Sequence, residues 1–328
     1  MTRPRIGFLG LGWIGRHRMQ AIAESGHAEI VALADPSPEA VETAAELAPD
    51  AARGATMEDV LAARPDGVVI ATPSALHVPQ VLQALEAGAA VFCQKPLGRN
   101  AAEAAQAVEA ARRADLLLAA DLSYRHTAAF GALMAQVEEG ALGDVFAADF
   151  TFHNAYGPDK PWFYDKAQSG GGCLIDLGVH LVDQALWLLG ADDLTCTSAS
   201  LFSGGGPVGP DGVEDYCVAS LRAPSGTAIR IACSWTLPAG REAVIEAQLY
   251  GTKAGAEVRN EAGSFYNFSA SRFEGTAARP LVSPPDDWGG RAAVDWARRL
   301  AEGEGFDPDT ERLTVLARVI DGIYAAAH

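Results

Sequence analysis

Three glycines, Gly10, Gly12 and Gly15, form a G-x-G-x-x-G turn directly after the apolar run Ile6 to Leu9, and Asp35 closes the next apolar run, Glu29 to Ala34. No other feature of the chain constrains its fold as tightly. The first glycine permits a tight strand-to-helix turn, the second lets backbone approach a pyrophosphate, and the third allows close helix–strand packing. The phosphates then rest on N–H groups opening the next helix, in the stretch holding Trp13 and Ile14. An acid after the second strand accepts hydrogen bonds from the adenosine ribose hydroxyls and repels a 2′-phosphate, so Asp35 points to NAD rather than NADP. Pro36 and Ser37 follow it, with no arginine to receive a phosphate.

At 328 residues and 49% hydrophobic content the chain is long enough for two packed domains, because single cores stop growing at roughly 250–300 residues. A net charge of −17 without a basic stripe argues against a nucleic-acid partner. Five scattered cysteines with no C-x-x-C indicate neither a disulfide framework nor a thiolate metal site, which fits a reducing cytoplasm. Arg3 and Arg5 before Ile6 to Ile14 imitate a signal peptide, but the glycine fingerprint lies inside that stretch, so a first strand is expected there. No apolar segment reaches the roughly 18 residues needed to span a bilayer, so no membrane partner is expected.

Residues 1–122 alternate short apolar runs with alanine-rich stretches, the pattern of a parallel α/β sheet. Strands are expected near 4–9, 29–34, 67–72, 89–94 and 116–121, with a weaker one at 52–55. The intervening helices fall near 13–25, 37–48, 76–87 and 100–114. Residues 123–328 read as a second, α+β domain. It starts with a helix at 127–139, a strand at 144–153, an irregular stretch through 158–172 and a helix at 174–189. Strands follow near 195–202, 213–222, 226–237, 243–250 and 254–259, with short connections that imply antiparallel pairing. Ile229, Ile231, Cys233, Trp235 and Leu237 form one apolar face, and Arg230, Ala232, Ser234 and Thr236 the other, so one side of this sheet faces water or another subunit. Helices at 290–302 and 309–326 close the chain, and Gly204 to Gly212 and Pro284-Pro285 punctuate loops.

Ligands of open α/β sheets lie beyond the carboxyl ends of the strands. There stand Thr72-Pro73 with His77 shortly after, Gln94-Lys95-Pro96, and Tyr124-Arg125. Thr72-Pro73 reads equally as a strand stop or a ligand contact. Lys95, fixed against Pro96 at the crevice mouth, reads as a site residue. On the helix at 174–189 the polar residues are few: Asp176, His180, Asp183 and Gln184. Asp176 and His180, spaced i and i+4, share a helical face that Asp183 continues. Burial of such groups demands partners, a cavity or a ligand. The stripe thus reads as a fastening His–Asp pair, as a catalytic pair or, less well supported, as metal ligands. No further ligand set is evident, and no metal is expected. Gly170 to Gly172, just before, permit a close backbone approach.

These residues together resemble the Gfo/Idh/MocA oxidoreductase family over nearly the whole chain. The resemblance rests on the fingerprint with Asp35, Ala71-Thr72-Pro73 with His77, Lys95-Pro96, Tyr124-Arg125, Gly170 to Gly172 leading into Asp176 and His180, and Gly251-Thr252-Lys253 with Gly255. It implies a Rossmann domain followed by an open-faced, mainly antiparallel sheet, a homodimer or homotetramer formed through that sheet, and hydride transfer between NAD and a sugar, polyol or sugar derivative. Lys95, Asp176 and His180 map to the family's catalytic residues. Gly10, Gly12, Trp13, Ile14, Gly15, Asp35, Thr72, Pro73, His77, Gln94 and Lys95 would bind the cofactor. Tyr124, Arg125, His153, Trp162 and Tyr164 join the catalytic residues as candidate substrate contacts. Alternatives are an NAD- and sugar-binding sensor without turnover, and an NAD-dependent glycoside-cleaving enzyme. Two positions depart from the family pattern. Gln94 replaces the usual glutamate, removing a charge that would favour protonated lysine, and Ser74 stands where asparagine is common.

Overall fold

A computed structural model describes residues 3–209 and 211–327. Met1 and Thr2, at the start of the first expected domain, Pro210, in the loop expected over 204–212, and His328, at the end of the second, lie outside the described residues. The chain divides into two compact units, Met1–Ser123 with Gly289–Thr314, and Tyr124–Trp288 with Val315–His328.

In the first unit β1 (Arg5–Leu9), β2 (Glu29–Ala34), β3 (Ala52–Gly54), β4 (Gly67–Ile70), β5 (Ala90–Cys93) and β6 (Leu118–Ala120) form one parallel sheet, ordered β3-β2-β1-β4-β5-β6. This is the order of a dinucleotide-binding fold, with its switch point beside β1. Every residue of β4 and β5 is buried, as strands covered on both faces must be. The helices are α1 (Trp13–Ser25), α2 (Pro38–Ala45), α3 (Met57–Ala62), α4 (Ser74–Glu86) and α5 (Ala101–Ala114). Side chains cap three of them: Ser37 accepts from Ala40 N, Thr56 from Asp59 N and Asn100 from Glu103 N. The unexpected helix α3 had a legible signal, the reciprocal Thr56–Asp59 capping box. By contrast α1 starts at Gly12 with no side-chain cap and no acid in its first turn.

The second unit is built on a nine-stranded sheet. Its strands are β7 (Val145–Asn154), β8 (Thr195–Ser203), β9 (Gly206–Pro207), β10 (Tyr216–Arg222), β11 (Ala228–Ser234), β12 (Ala243–Gly251), β13 (Gly255–Asn260), β14 (Phe268–Glu274) and β15 (Ala277–Val282). The order is β15-β14-β13-β12-β7-β11-β10-β8-β9. The sheet is mainly antiparallel, and β7 and β11 run parallel, because a long, partly helical connection separates them in sequence. On β11 Ile229, Ile231 and Cys233 are buried while Arg230 is exposed and Ala232 half-buried. The alternation ends at Ser234, where the strand stops three residues short of the expected end. Its helices are α6 (Ala128–Glu138), α7 (Lys166–Ser169) and α8 (Val179–Leu188); α9 (Arg291–Ala301) and α10 (Arg312–Ala326) close the chain.

Although α9 follows the second unit in sequence, it belongs to the first. Its Trp296 is buried against Phe92, with ring centroids 5.8 Å apart. Gly67 makes the room, since a Cβ there would meet the Trp296 ring at 2.8 Å. Thr310 Oγ1 donates to Leu118 O at 2.9 Å and pins the same returning segment to β6.

Candidate active site

At the glycine turn each residue has its own reason. Gly10 has φ +89°, and a Cβ on Gly15 would lie 2.1 Å from Gly10 O, so both are required by the fold itself. Gly12 differs: nothing lies within 4 Å of the Cβ it lacks. Asp35 accepts from Leu11 N at 2.7 Å through Oδ2 and from Ser37 N at 2.8 Å through Oδ1. Trp13 is exposed and stacks on His17 at 5.6 Å; Ile14 is half-buried. The uncapped α1 amides, the open space beside Gly12 and the fixed Asp35 carboxylate fit a dinucleotide's pyrophosphate and ribose.

Thr72, Pro73, Gln94 and Lys95 stand at the carboxyl edge of the same sheet, and His77 ties two of its loops together. Its Nδ1 lies 2.7 Å from Pro96 O and its Nε2 2.8 Å from Thr72 O. Burial holds the imidazole below the ordinary histidine value, outweighing the two carbonyls. A neutral ring has one N–H, so it donates to one of these carbonyls at a time. Thr72 Oγ1 donates to Gln80 Oε1 at 2.6 Å. Gln94 is buried and donates to Asp121, which also pairs with Arg18. Sequence reasoning missed both of these partners.

In the second unit the expected helix at 174–189 is not uniform. Residues Leu174–Gly178 form a π turn and α8 takes over at Val179. The wider turn changes the phase of the stripe. Asp176 accepts from Trp235 Nε1 at 2.9 Å. His180 is buried, its ring edge-on to Tyr124 at 4.9 Å. Burial, then the charge of Asp176, push the Tyr124 phenol well above its ordinary value. Asp183 does not serve the same stripe: buried, it takes a two-pronged ion pair from Arg125, whose Nε donates at 2.9 and 3.1 Å. The metal reading of Asp176, His180 and Asp183 fails with it, and no group of three His, Cys, Asp or Glu residues among the described residues is arranged to hold a metal.

The glycine run before this helix serves an internal contact. A Cβ on Gly172 would lie 1.9 Å from Glu214 O and one on Gly171 2.0 Å from Tyr324 Oη. Glu214, also missed from sequence, accepts from Gly172 N at 3.0 Å, from Leu174 N at 2.9 Å and from Tyr324 Oη at 2.9 Å. An isolated acid on a loop leaves no periodic signal.

Among the candidate contacts, Tyr124 is buried between Phe130, Phe152, Phe268 and Trp288. Trp162 stacks on Phe163 at 3.8 Å, and the exposed Tyr164 meets Trp235 at 5.3 Å. His153 requires correction. Successive strand residues point to opposite faces, and Phe152 is the one packed toward His180. His153 thus lies on the other face, bonded to Ser234 Oγ at 2.9 Å and stacked on Tyr216, with burial lowering its pKa to about 4.

The sequence profile of the oxidoreductase family with an NAD-binding Rossmann fold matches residues 4–122, and that of the GFO/IDH/MocA C-terminal domain matches residues 130–257. The chain belongs to this family, and its first unit carries the family's NAD-binding domain. The rhizopine catabolism protein MocA of Rhizobium meliloti is 32% identical over 268 residues, covering 79% of each chain. The inositol 2-dehydrogenase of Rhizobium meliloti (strain 1021) is 27% identical over 258 residues, 78% of this chain and 76% of that one. In fold, the chain is similar to levoglucosan dehydrogenase solved with NADH and L-sorbose, at TM-score 0.84 and 22% identity, covering 100% of this chain and 97% of that one.

Proposed function

We propose that the protein is an NAD-preferring dehydrogenase that oxidises a secondary alcohol of a neutral sugar or polyol to a carbonyl. The observation that carries this reading is the presence of Asp176 in the π turn and His180 at the start of α8 in a mostly apolar segment, the first bonded by the Trp235 indole and the second packed edge-on to the Tyr124 ring. Burying such groups is costly unless chemistry or partners require it. Names borne by relatives, an inositol dehydrogenase and a sugar complex among them, support the substrate class.

When bound, NAD supplies the two-electron acceptor, taking the carbinol C–H as hydride. His180 takes the hydroxyl proton as general base, Lys95 donates a hydrogen bond to the reacting oxygen, and Asp176 orients and tunes that proton transfer. Gly10 to Gly15 would hold the pyrophosphate and Asp35 the adenosine ribose, and Thr72, Pro73, His77 and Gln94 would complete the cofactor site. Trp162 and Tyr164 offer aromatic faces to the sugar. Arg125 is assigned to Asp183 and not to substrate. A cytoplasmic homodimer or homotetramer, joined through the sheet face that bears His153, completes the reading. No described helix is long and apolar enough to cross a membrane.

The test is NADH formation over a panel of inositols, aldoses and sugar acids, with Lys95→Ala and His180→Ala beside the parent, and dissociation constants for NADH and NADPH. The expected result is turnover of a neutral member by the parent, its loss in both variants, and tighter NADH than NADPH binding. Variants that retain the parent's rate would overturn the catalytic assignment, and equal dissociation constants the cofactor preference.

A further inference from the structure

We infer that Asp121 is a positioning residue for Lys95, acting through Gln94, and that this arrangement requires an amide at position 94. The inference rests on the reading that Lys95 meets the substrate oxygen. Cys93 and Ala120, the last residues of β5 and β6, stand opposite each other, so Gln94 and Asp121 are neighbours just beyond the strand ends. Gln94 Nε2 donates to Asp121 Oδ2 at 2.5 Å, and Arg18 Nε, from α1, donates to the same oxygen at 2.7 Å. The three side chains are screened from water, with residue exposures of 8%, 1% and 5% for Gln94, Asp121 and Arg18. Arg18 is held in turn by Gly289 O and His17 Nδ1.

One carboxylate thus faces one guanidinium, and the neutral amide adds a donor without adding charge. A carboxylate at 94 would place two anions on one cation and turn an acceptor toward an oxygen that already accepts. Asp121 Oδ1 is buried without a hydrogen-bond partner, so the hold on Gln94 passes through Oδ2 alone. Gln94 is covalently joined to Lys95, and on the other side His77 grips Pro96 O. The root of the lysine is therefore anchored from both sides, which limits where its flexible stem can carry the ammonium. Among the described residues, the charged and titratable groups that bear on the cluster are Arg18 and His17 from α1 and Cys93 from β5. Burial, reinforced by Asp121, pushes the Cys93 thiol far above its ordinary value, so it stays neutral.

The chain has four lysines, Lys95, Lys160, Lys166 and Lys253, so reductive methylation with 13C-formaldehyde, which keeps their charge, gives an NMR spectrum simple enough to follow. Lys95→Arg assigns the Lys95 signal. Asp121→Asn and Gln94→Glu are expected to move that signal and leave the other three in place. Gln94→Glu should also lower kcat by about tenfold to a hundredfold with KM changed less than about threefold. A proton shared between the introduced carboxyl and Asp121 raises the folded-state pKa of the pair, so stability is intact at low pH and lost as pH rises. The Tm of Gln94→Glu should therefore fall relative to the parent between about pH 5 and 8, and adding Asp121→Asn should remove that slope. If Asp121→Asn fails to fold, Gln94→Met removes only the amide bond and must move the Lys95 signal. An unmoved Lys95 signal in folded variants, or a Gln94→Glu Tm profile parallel to the parent's, overturns the inference. A parent without turnover whose Lys95 signal still responds would sink the dehydrogenase reading and uphold the coupling.

Discussion

Replacing Glu214 by alanine and by glutamine measures what fixes the start of the helix that carries Asp176 and His180. Its buried carboxylate takes Gly172 N–H, Leu174 N–H and the Tyr324 hydroxyl. Alanine strands three buried donors, and at about 1–3 kcal/mol each the loss is at least about 3 kcal/mol. For a unit of this size that loss lowers the Tm of its transition by about 6–12 °C. Glutamine keeps one oxygen for Leu174 and Tyr324 and turns an NH2 toward Gly172, so its cost is smaller and depends on pH. Burial pushes the Glu214 carboxyl above its ordinary 4.5, outweighing the hydrogen bonds from Leu174, Tyr324 and Gly172. With the folded value above the unfolded one, the group's contribution is full below the unfolded value and declines as pH rises through the folded value. Glutamine does not titrate, so the parent's advantage over Glu214→Gln should be largest near the acid end and shrink toward neutrality. Calorimetry across that range, with amide exchange at Gly172 and Leu174, reads both effects. An alanine variant within about 1 °C of the parent, given the loss expected above, or a parent–glutamine gap that widens with pH, would refute the reasoning.

Gly12→Ala meets no atom within 4 Å, so its stability should match the parent within about 0.5 kcal/mol while NADH affinity, read by fluorescence, falls at least about tenfold. Gly15→Ala, whose Cβ would lie 2.1 Å from Gly10 O, should instead lower Tm with no ligand present; the opposite ranking would remove the pyrophosphate from this turn. Arg125→Met should cost about 3–5 kcal/mol by stranding the buried Asp183, and Arg125→Met with Asp183→Leu should recover most of it. Strictly additive losses in denaturant titrations would show that the pair is not coupled.

The dinucleotide half was legible because its signals are local. Gly10, Gly12 and Gly15 fall within one six-residue turn, Asp35 follows the very next strand and accepts from Leu11 N of that turn, and β4 and β5 are apolar because both their faces are covered. The second unit was less so. Strand β14 keeps only Phe268 and Ala270 buried, and β15 carries Pro280 among exposed residues, so neither shows the alternation of a half-buried strand. The π turn was hidden for another reason: Leu174 to Leu188 reads as one helix, and the misfit between Asp176 and Asp183 emerges only when Trp235 and Arg125 arrive from distant segments. The same distance conceals Asp121 and Glu214, and the strand parity that separates His153 from His180 shows only in the folded sheet.

How much of a carboxylate's accepting capacity the protein itself fills separates the acids that hold the fold from those that can hold a ligand. Glu214 receives three donors and Asp183 a guanidinium fork, so both are spent on their own unit. Asp35 stands apart. Each of its oxygens takes a single backbone N–H, Leu11 on one and Ser37 on the other. An ionised carboxylate has about four acceptor sites, so each oxygen keeps a lone pair while the two amides fix the plane of the group. Two fixed, half-filled oxygens suit a vicinal diol, whose hydroxyls are both donors, and oppose a phosphate, which is neither a donor nor neutral. The proposed preference for NAD over NADP would then come from the orientation of one acid by backbone amides. Replacing Asp35 by asparagine, which substitutes a donor for one of those oxygens, would disturb the diol more than the charge alone predicts.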